Sequence, residues 1–358
     1  MAIWWSGKQT VFLEKHSYKV SDARLSQQIR ANILKLGQWL QLPVCAKRLH
    51  TPELLGLVEF TGDEEIALVY KLPESLGFHG KGCPIDDMTS REPKTMLEVY
   101  PLGRSCPQLM LRFKLARKLV QSLSFLHACG WLHKSIRVGA LLLFKQFKME
   151  GGLTWESSIE NAFLMNYSFS KPDEKRPQQP QSHDGHQVEL EQSQNHVRFS
   201  QPSSKSNNVD FESVSDIDTD LMTSDSGDHG SGRIPSISTE QDRVTLDIMH
   251  HPSKRARPNR RYRHAFDVYS LGIILLEIGL WKPVGDMIDS KEKEKCPFET
   301  RRKLVGIAER QLPPRCGSIY ARVTAACLNI DAEDSGADLQ EQRELCARIA
   351  ADLALCSV

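Results

Sequence analysis

The chain carries no surplus of either charge: 46 Lys and Arg stand against 45 Asp and Glu, a formal net charge of +1. Without an overall positive field there is no global pull toward nucleic acid or an anionic membrane, and no nucleic-acid partner is expected. Long apolar runs are lacking too. The most apolar stretch, Val268 to Trp281, is too short to span a bilayer and contains Glu277, so it reads as a core helix and no transmembrane segment is expected. The opening MAIWWSGKQT has neither the charged start nor the apolar run of a secretory signal. The nine cysteines are scattered, with no C-x-x-C and no histidine at ligand spacing. That pattern suits reduced thiols in a cytoplasmic protein, with the nucleus left open. His250 and His251 adjoin, but no Cys or acidic residue stands at zinc spacing from them, so no metal is assigned.

Aromatic residues are nearly missing from Ser170 to Asp242, where only Phe199 and Phe211 occur and Gln, Ser, Asp, Pro and Gly dominate. Such a segment cannot bury enough apolar area to offset the entropy of ordering it. Residues 170–243 therefore read as a disordered insertion. Ser213, Ser215 and Ser224, set among acidic residues, are candidate phosphate acceptors, against the plainer reading of a solvated spacer. The run from Lys254 to Arg261, KRARPNRR, reads as a solvated basic loop, with a nuclear signal or an anion site as the alternatives.

The rest of the chain is periodic. Thr10 to Lys19 suits a strand, and Ser26 to Leu40 has apolar residues at helical spacing. Leu54 to Phe60 and Glu65 to Leu72 read as strands around Thr61-Gly62-Asp63. Leu109 to Ala128 places Leu111, Leu115, Leu119, Leu123 and Leu126 on one face, with Gly130 as a stop just beyond. Ala140 to Phe147 reads as a strand, and Ile159 to Tyr167 contains another. Helices are expected from Asp267 to Trp281, from Arg301 to Leu312, from Ile319 to Asn329, and at the C-terminal end. The fold class is α+β.

Residues Trp131 to Leu143, WLHKSIRVGALLL, carry the most chemistry. They resemble a protein-kinase catalytic loop, H-R-D-x-x-x-x-N, leading into a short strand. His133 takes the His, Lys134 the Arg, Ser135 the Asp and Ala140 the Asn. A serine hydroxyl is no base near neutral pH without an activating neighbour, and alanine cannot ligate a hard cation. Downstream, Phe163 to Pro172 stands where D-F-G is expected, with Asn166 for the Asp, Tyr167 for the Phe and Ser168 for the Gly. A neutral amide binds magnesium far more weakly than a carboxylate. Tyr167 is expected to pack beside His133. No glycine-rich phosphate loop precedes the first strand, and Val11-Phe12-Leu13-Glu14 puts Glu where V-A-I-K has its lysine. Lys15 is adjacent but belongs to the opposite strand face. Gln27 and Gln28 stand near the position of the family's helix glutamate.

The stretch from Phe266 to Glu277 is similar to the long C-lobe helix that supports the loop in kinases, D-x-x-S-x-G-x-x-L-x-E. The likeness makes Asp267 the acceptor for the loop's backbone N–H groups and Gly272 a close-packing position. A plain helix N-cap is the alternative for Asp267. Together with YARVTAACL, these phrases resemble fungal kinase-like domains associated with HeLo-type (prion-inhibition and propagation) proteins. The resemblance implies a two-lobed, kinase-like fold: a short β-rich N-lobe over residues 1–73, and a hinge with the first part of a helical C-lobe over 74–169. The insertion then fills 170–243, and the rest of the C-lobe 244–358. It further implies a pseudokinase: a non-catalytic signalling or scaffolding module with protein partners in a signalling complex, in incompatibility or cell-death-like signalling. No cofactor is assigned, and weak ATP binding is left open. An atypical active Ser/Thr kinase and an interaction domain without nucleotide binding are the rival readings.

Overall fold

A computed structural model describes residues 2–5, 10–72, 93–100, 106–144, 146–148, 152–154, 159, 161–167, 170–173, 248–288, 296–331 and 339–356. The protein is α+β, with a small antiparallel sheet near the N-terminus followed mostly by helices.

Four strands, β1 (Ala2–Trp5), β2 (Thr10–Ser17), β3 (Leu54–Phe60) and β4 (Glu65–Lys71), form that sheet in the order β1-β2-β4-β3. From Phe12 to Ser17 the period of two is clear. Phe12, Glu14 and His16 are buried, while Lys15 and Ser17 face outward. Glu14 is thus carried into the interior by strand geometry, and Lys15 instead meets Glu65 at 2.9 Å on the surface.

Helix α1 (Ala23–Leu40) starts at Asp22, whose carboxylate accepts the N–H of Arg24 at 2.8 Å. It buries Leu25, Ile33, Leu36 and Leu40. At its C-terminal end Trp39 stacks on Trp131, with ring centroids 5.1 Å apart, and on Phe125, 6.2 Å apart. A short α2 (Pro43–Leu49) follows. Two further pieces, β5 (Lys94–Thr95) and α3 (Met96–Val99), precede α4 (Leu109–Ala128). Leu115, Leu119, Leu123 and Leu126 of α4 are all buried.

Gly130, at φ 74°, turns the chain after α4 into β6 (Trp131–Leu132). Strand β7 (Leu141–Leu143) lies between β5 and β10 (Phe163–Leu164), while β8 (Gln146–Lys148) and β9 (Gly152–Thr154) form a separate pair. Strand β11 (Lys171–Pro172) pairs with β6. The helices α5 (Pro252–Ala256), α6 (His264–Leu280), α7 (Pro297–Gln311), α8 (Pro313–Leu328) and α9 (Leu339–Ala354) complete the described chain. Every residue of α6 is buried, as suits a helix apolar all round. Among the described residues no helix is long and apolar enough to cross a membrane.

Several features differ from the sequence reading. The expected strand from Ala140 to Phe147 is divided: a 3-10 turn covers Val138–Ala140, and β7 ends at Leu143. Ser170 to Asp173 belong to the packed structure and not to an insertion: Ser170 is buried, and Lys171 and Pro172 pair with Leu132 and Trp131. The basic run is not simply a solvated loop either. Lys254 lies in α5, is buried, and donates to the carbonyls of Pro258 and Arg260, the latter at 2.9 Å. The long helix starts at His264, with Arg263 as its cap, so Asp267 lies inside its first turn and is no N-cap. Ser168, Ser213, Ser215, Ser224 and the stretch 174–247 lie outside the described residues.

Candidate functional site

The loop after β6 is held from below by one carboxylate. Asp267 is completely buried, and its two oxygens share four partners. Oδ2 accepts the backbone N–H of His133 at 2.8 Å, and Oδ1 accepts that of Lys134 at 2.9 Å. The Tyr262 hydroxyl donates to Oδ1 at 2.8 Å, and His127 Nε2 lies 3.2 Å from Oδ2. Burial alone would raise the pKa of Asp267, but His127 and then the His133 side chain and N–H hold it below the ordinary value. Burial likewise works to lower the pKa of His127. The bond to Asp267 outweighs it, with the Cys346 thiol adding to the effect, and carries that imidazole up to about 9. An imidazolium and a carboxylate therefore sit together beneath the loop.

Lys134 adopts φ 66°, a left-handed conformation uncommon for a side chain without local hydrogen bonding. The paired acceptance of its N–H and that of His133 by Asp267 holds this turn against its strain. The Lys134 side chain is buried and its amine lies 5.4 Å from the ring centroid of Tyr262. His133 is also buried, and desolvation pushes its pKa down to about 4. Its Nδ1 accepts the Ser135 N–H at 3.3 Å, its ring lies against Tyr167 at 4.7 Å, and its carbonyl accepts the Ser170 hydroxyl at 3.1 Å.

A second carboxylate meets the same region from the sheet. Glu14 Oε1 accepts the backbone N–H of Asn166 at 2.8 Å, and Oε2 accepts the Tyr70 hydroxyl at 3.2 Å. His16 Nε2 is 3.8 Å from Oε1. Burial acts to raise the Glu14 pKa, but His16, then the Asn166 N–H and Tyr70, keep it below the usual carboxylate range. Asn166 has φ 66°, a conformation asparagine tolerates better than most residues. Its side-chain Nδ2 donates to Ser135 Oγ at 3.1 Å.

Ser135 is only 8% exposed, and its hydroxyl is engaged by Asn166. Ala140 is buried and accepts the Met165 N–H at 2.8 Å through its carbonyl. The structure thus brings His133, Lys134, Ser135, Asn166, Tyr167 and Asp267 into one cluster and adds Glu14. Gly272 lies elsewhere on α6, against α8. A methyl group there would stand 2.8 Å from Cys327 Cβ and 3.0 Å from the Leu328 nitrogen.

Tyr262 and His127 were not anticipated as partners of Asp267. His127 is the penultimate residue of a leucine-rich helix and Tyr262 directly follows the basic run, so neither position carries a local signal.

As a place for magnesium or nucleotide phosphate, the cluster fits poorly. Ala140 offers no side-chain ligand, the Asn166 amide is spent on Ser135, and the one inward carboxylate from the sheet already accepts two hydrogen bonds. No group of three or more metal-ligating side chains occurs among the described residues. No protein-family model matches the chain, and no curated protein matches it.

Proposed function

We propose that this chain is a catalytically inactive protein-kinase-like module of two lobes that acts through protein partners as a signalling or scaffolding element. One observation carries the reading. Glu14, Ser135 and Asn166, which stand at the positions of the phosphate-binding lysine, the catalytic base and a metal ligand in the likeness, are buried and hydrogen-bonded within a single network. Phosphoryl transfer depends on positioning and on neutralising the developing charge with cations. Here a buried carboxylate lies where the cation belongs, and the Asn166 amide is turned to the Ser135 hydroxyl. Meanwhile Asp267 retains the kinase-like task of holding the loop backbone, which is scaffold without chemistry. The likeness to HeLo-associated fungal domains favours a role in incompatibility or cell-death-like signalling.

The test is phosphate incorporation into a generic protein substrate by the purified chain with ATP and magnesium, alongside thermal shift with ATP alone and with both. No incorporation and an unchanged melting temperature are expected. Magnesium-dependent labelling that is lost in Asn166→Ala would overturn the reading in favour of an atypical kinase. A melting temperature raised by ATP without labelling would retain the inactive module but give it a nucleotide ligand.

A further inference from the structure

We infer that Glu14 is an internal lock: its carboxylate fastens the N-terminal sheet to the loop held by Asp267, so that sheet and loop open or stay closed as a unit. The chain of contacts is continuous. Glu14 Oε1 holds the Asn166 N–H at 2.8 Å, Asn166 Nδ2 holds Ser135 Oγ at 3.1 Å, and the two residues before Ser135 donate their N–H groups to Asp267. A carboxylate from a strand at one end and a carboxylate from a buried helix at the other thus clamp the same few residues between them. Both clamped backbones include a residue in the left-handed region, Lys134 and Asn166, and in each case that residue's own N–H is among those caught.

The sequence separations exclude a local origin. Glu14 and Asn166 are 152 residues apart, and Asp267 and Lys134 are 133 apart. The acceptor from the sheet meets the N–H of Asn166, whose φ of 66° lies in the left-handed region. Glu14 is itself held in place by Tyr70 on the neighbouring strand at 3.2 Å and by His16 two residues along its own strand. The acceptor is thus engaged from within the sheet as well as by its donor in the loop. The inference stands on these contacts alone and is independent of the kinase-like reading.

Hydrogen exchange followed by mass spectrometry on the full chain tests it, because exchange reports local opening separately from global unfolding. In Glu14→Ala, amides around His133 to Ser135 and around Asn166 are expected to exchange about tenfold faster or more, the effect of stripping a buried donor of its acceptor. The helices Leu109–Ala128 and His264–Leu280 should keep their protection. Ser135→Ala, which removes only the middle contact, should produce the same regional pattern with a smaller increase, and it serves if Glu14→Ala does not fold. Unchanged exchange at both places in either variant would overturn the lock. So would acceleration of the two helices to the same degree, since Glu14 would then be only one more stabilising residue.

Discussion

His127 and Asp267 face each other at 3.2 Å in the interior, one at the end of a leucine-rich helix and the other inside the first turn of an apolar one. The pair lies directly beneath the loop at His133. Four donors converge on this carboxylate, so its removal leaves two backbone N–H groups, a hydroxyl and an imidazolium without their acceptor.

Asp267→Ala should therefore be among the most damaging single substitutions in the chain, costing about 3 kcal/mol or more, the usual result of breaking a buried charged pair. Ser135→Ala should cost less, on the order of 1–3 kcal/mol, because it removes only the hydroxyl that accepts from the Asn166 side chain. An exposed serine would have cost within about 0.5 kcal/mol, which its burial rules out. Urea denaturation of the two variants beside the parent gives the comparison. Equal midpoints would remove Asp267 from its role as anchor.

The same pair gives the protein an alkaline limit. His127 titrates near 9 in the folded protein and near its ordinary 6.5 when unfolded. Its contribution is thus complete below about 6.5 and is lost as pH rises through about 9. His127→Gln should be less stable than the parent at pH 6, and the gap between them should narrow toward pH 10. Melting curves across that range decide it; a constant gap would mean that the imidazolium contributes nothing specific.

Glu277 runs the other way. Burial pushes its carboxyl up to about 8, only partly opposed by the N–H of Val284, which Oε1 accepts at 2.7 Å. Its Oε2 has no hydrogen-bond partner among the described residues. An acid whose folded pKa is raised destabilises the fold progressively as pH rises from its unfolded value near 4.5 to about 8. Glu277→Gln keeps the shape and removes the proton exchange. It should melt higher than the parent at pH 8, with the advantage shrinking toward pH 4.5. A glutamine variant less stable than the parent at pH 8 would show that the charged form has a partner in solution.

Gly272→Ala tests the helix contact. The added methyl would meet Cys327 Cβ and the Leu328 backbone, and neither is the movable end of a flexible side chain. A loss of about 1–3 kcal/mol is expected, as in other overpacked cores. Gly62→Ala, where a Cβ meets nothing within 4 Å, is the control that should cost far less.

What the sequence disclosed followed from periodicity. The leucine face of α4 and the unbroken apolar run of α6 were plain, because each satisfies its spacing within its own residues. So was the alternation that sets Glu14 and Lys15 on opposite faces of the strand, though not which of the two turns inward. The short α2, with seven residues, spans too few turns for a pattern to emerge. Helix α5 was hidden by its charge: Lys254 is buried because two carbonyls of the following loop receive its amine, a solution no composition reveals. The cluster divided in the same manner. Asp267 could be placed from its motif, whereas the burial of Ser135 depends on Asn166, and the engagement of Asn166 depends on a strand at the far end of the chain.

Trp39 brings the last helix turn of α1 face to face with Trp131, their ring planes inclined by 19°. Two indoles that close share their excited states, so their near-ultraviolet circular dichroism should include a paired signal that neither ring gives alone. Because one indole rides on the helix packed against the sheet and the other on the strand leading into His133, the protein contains its own optical gauge of that junction. Whatever loosens the junction would be read out by light, without a label attached.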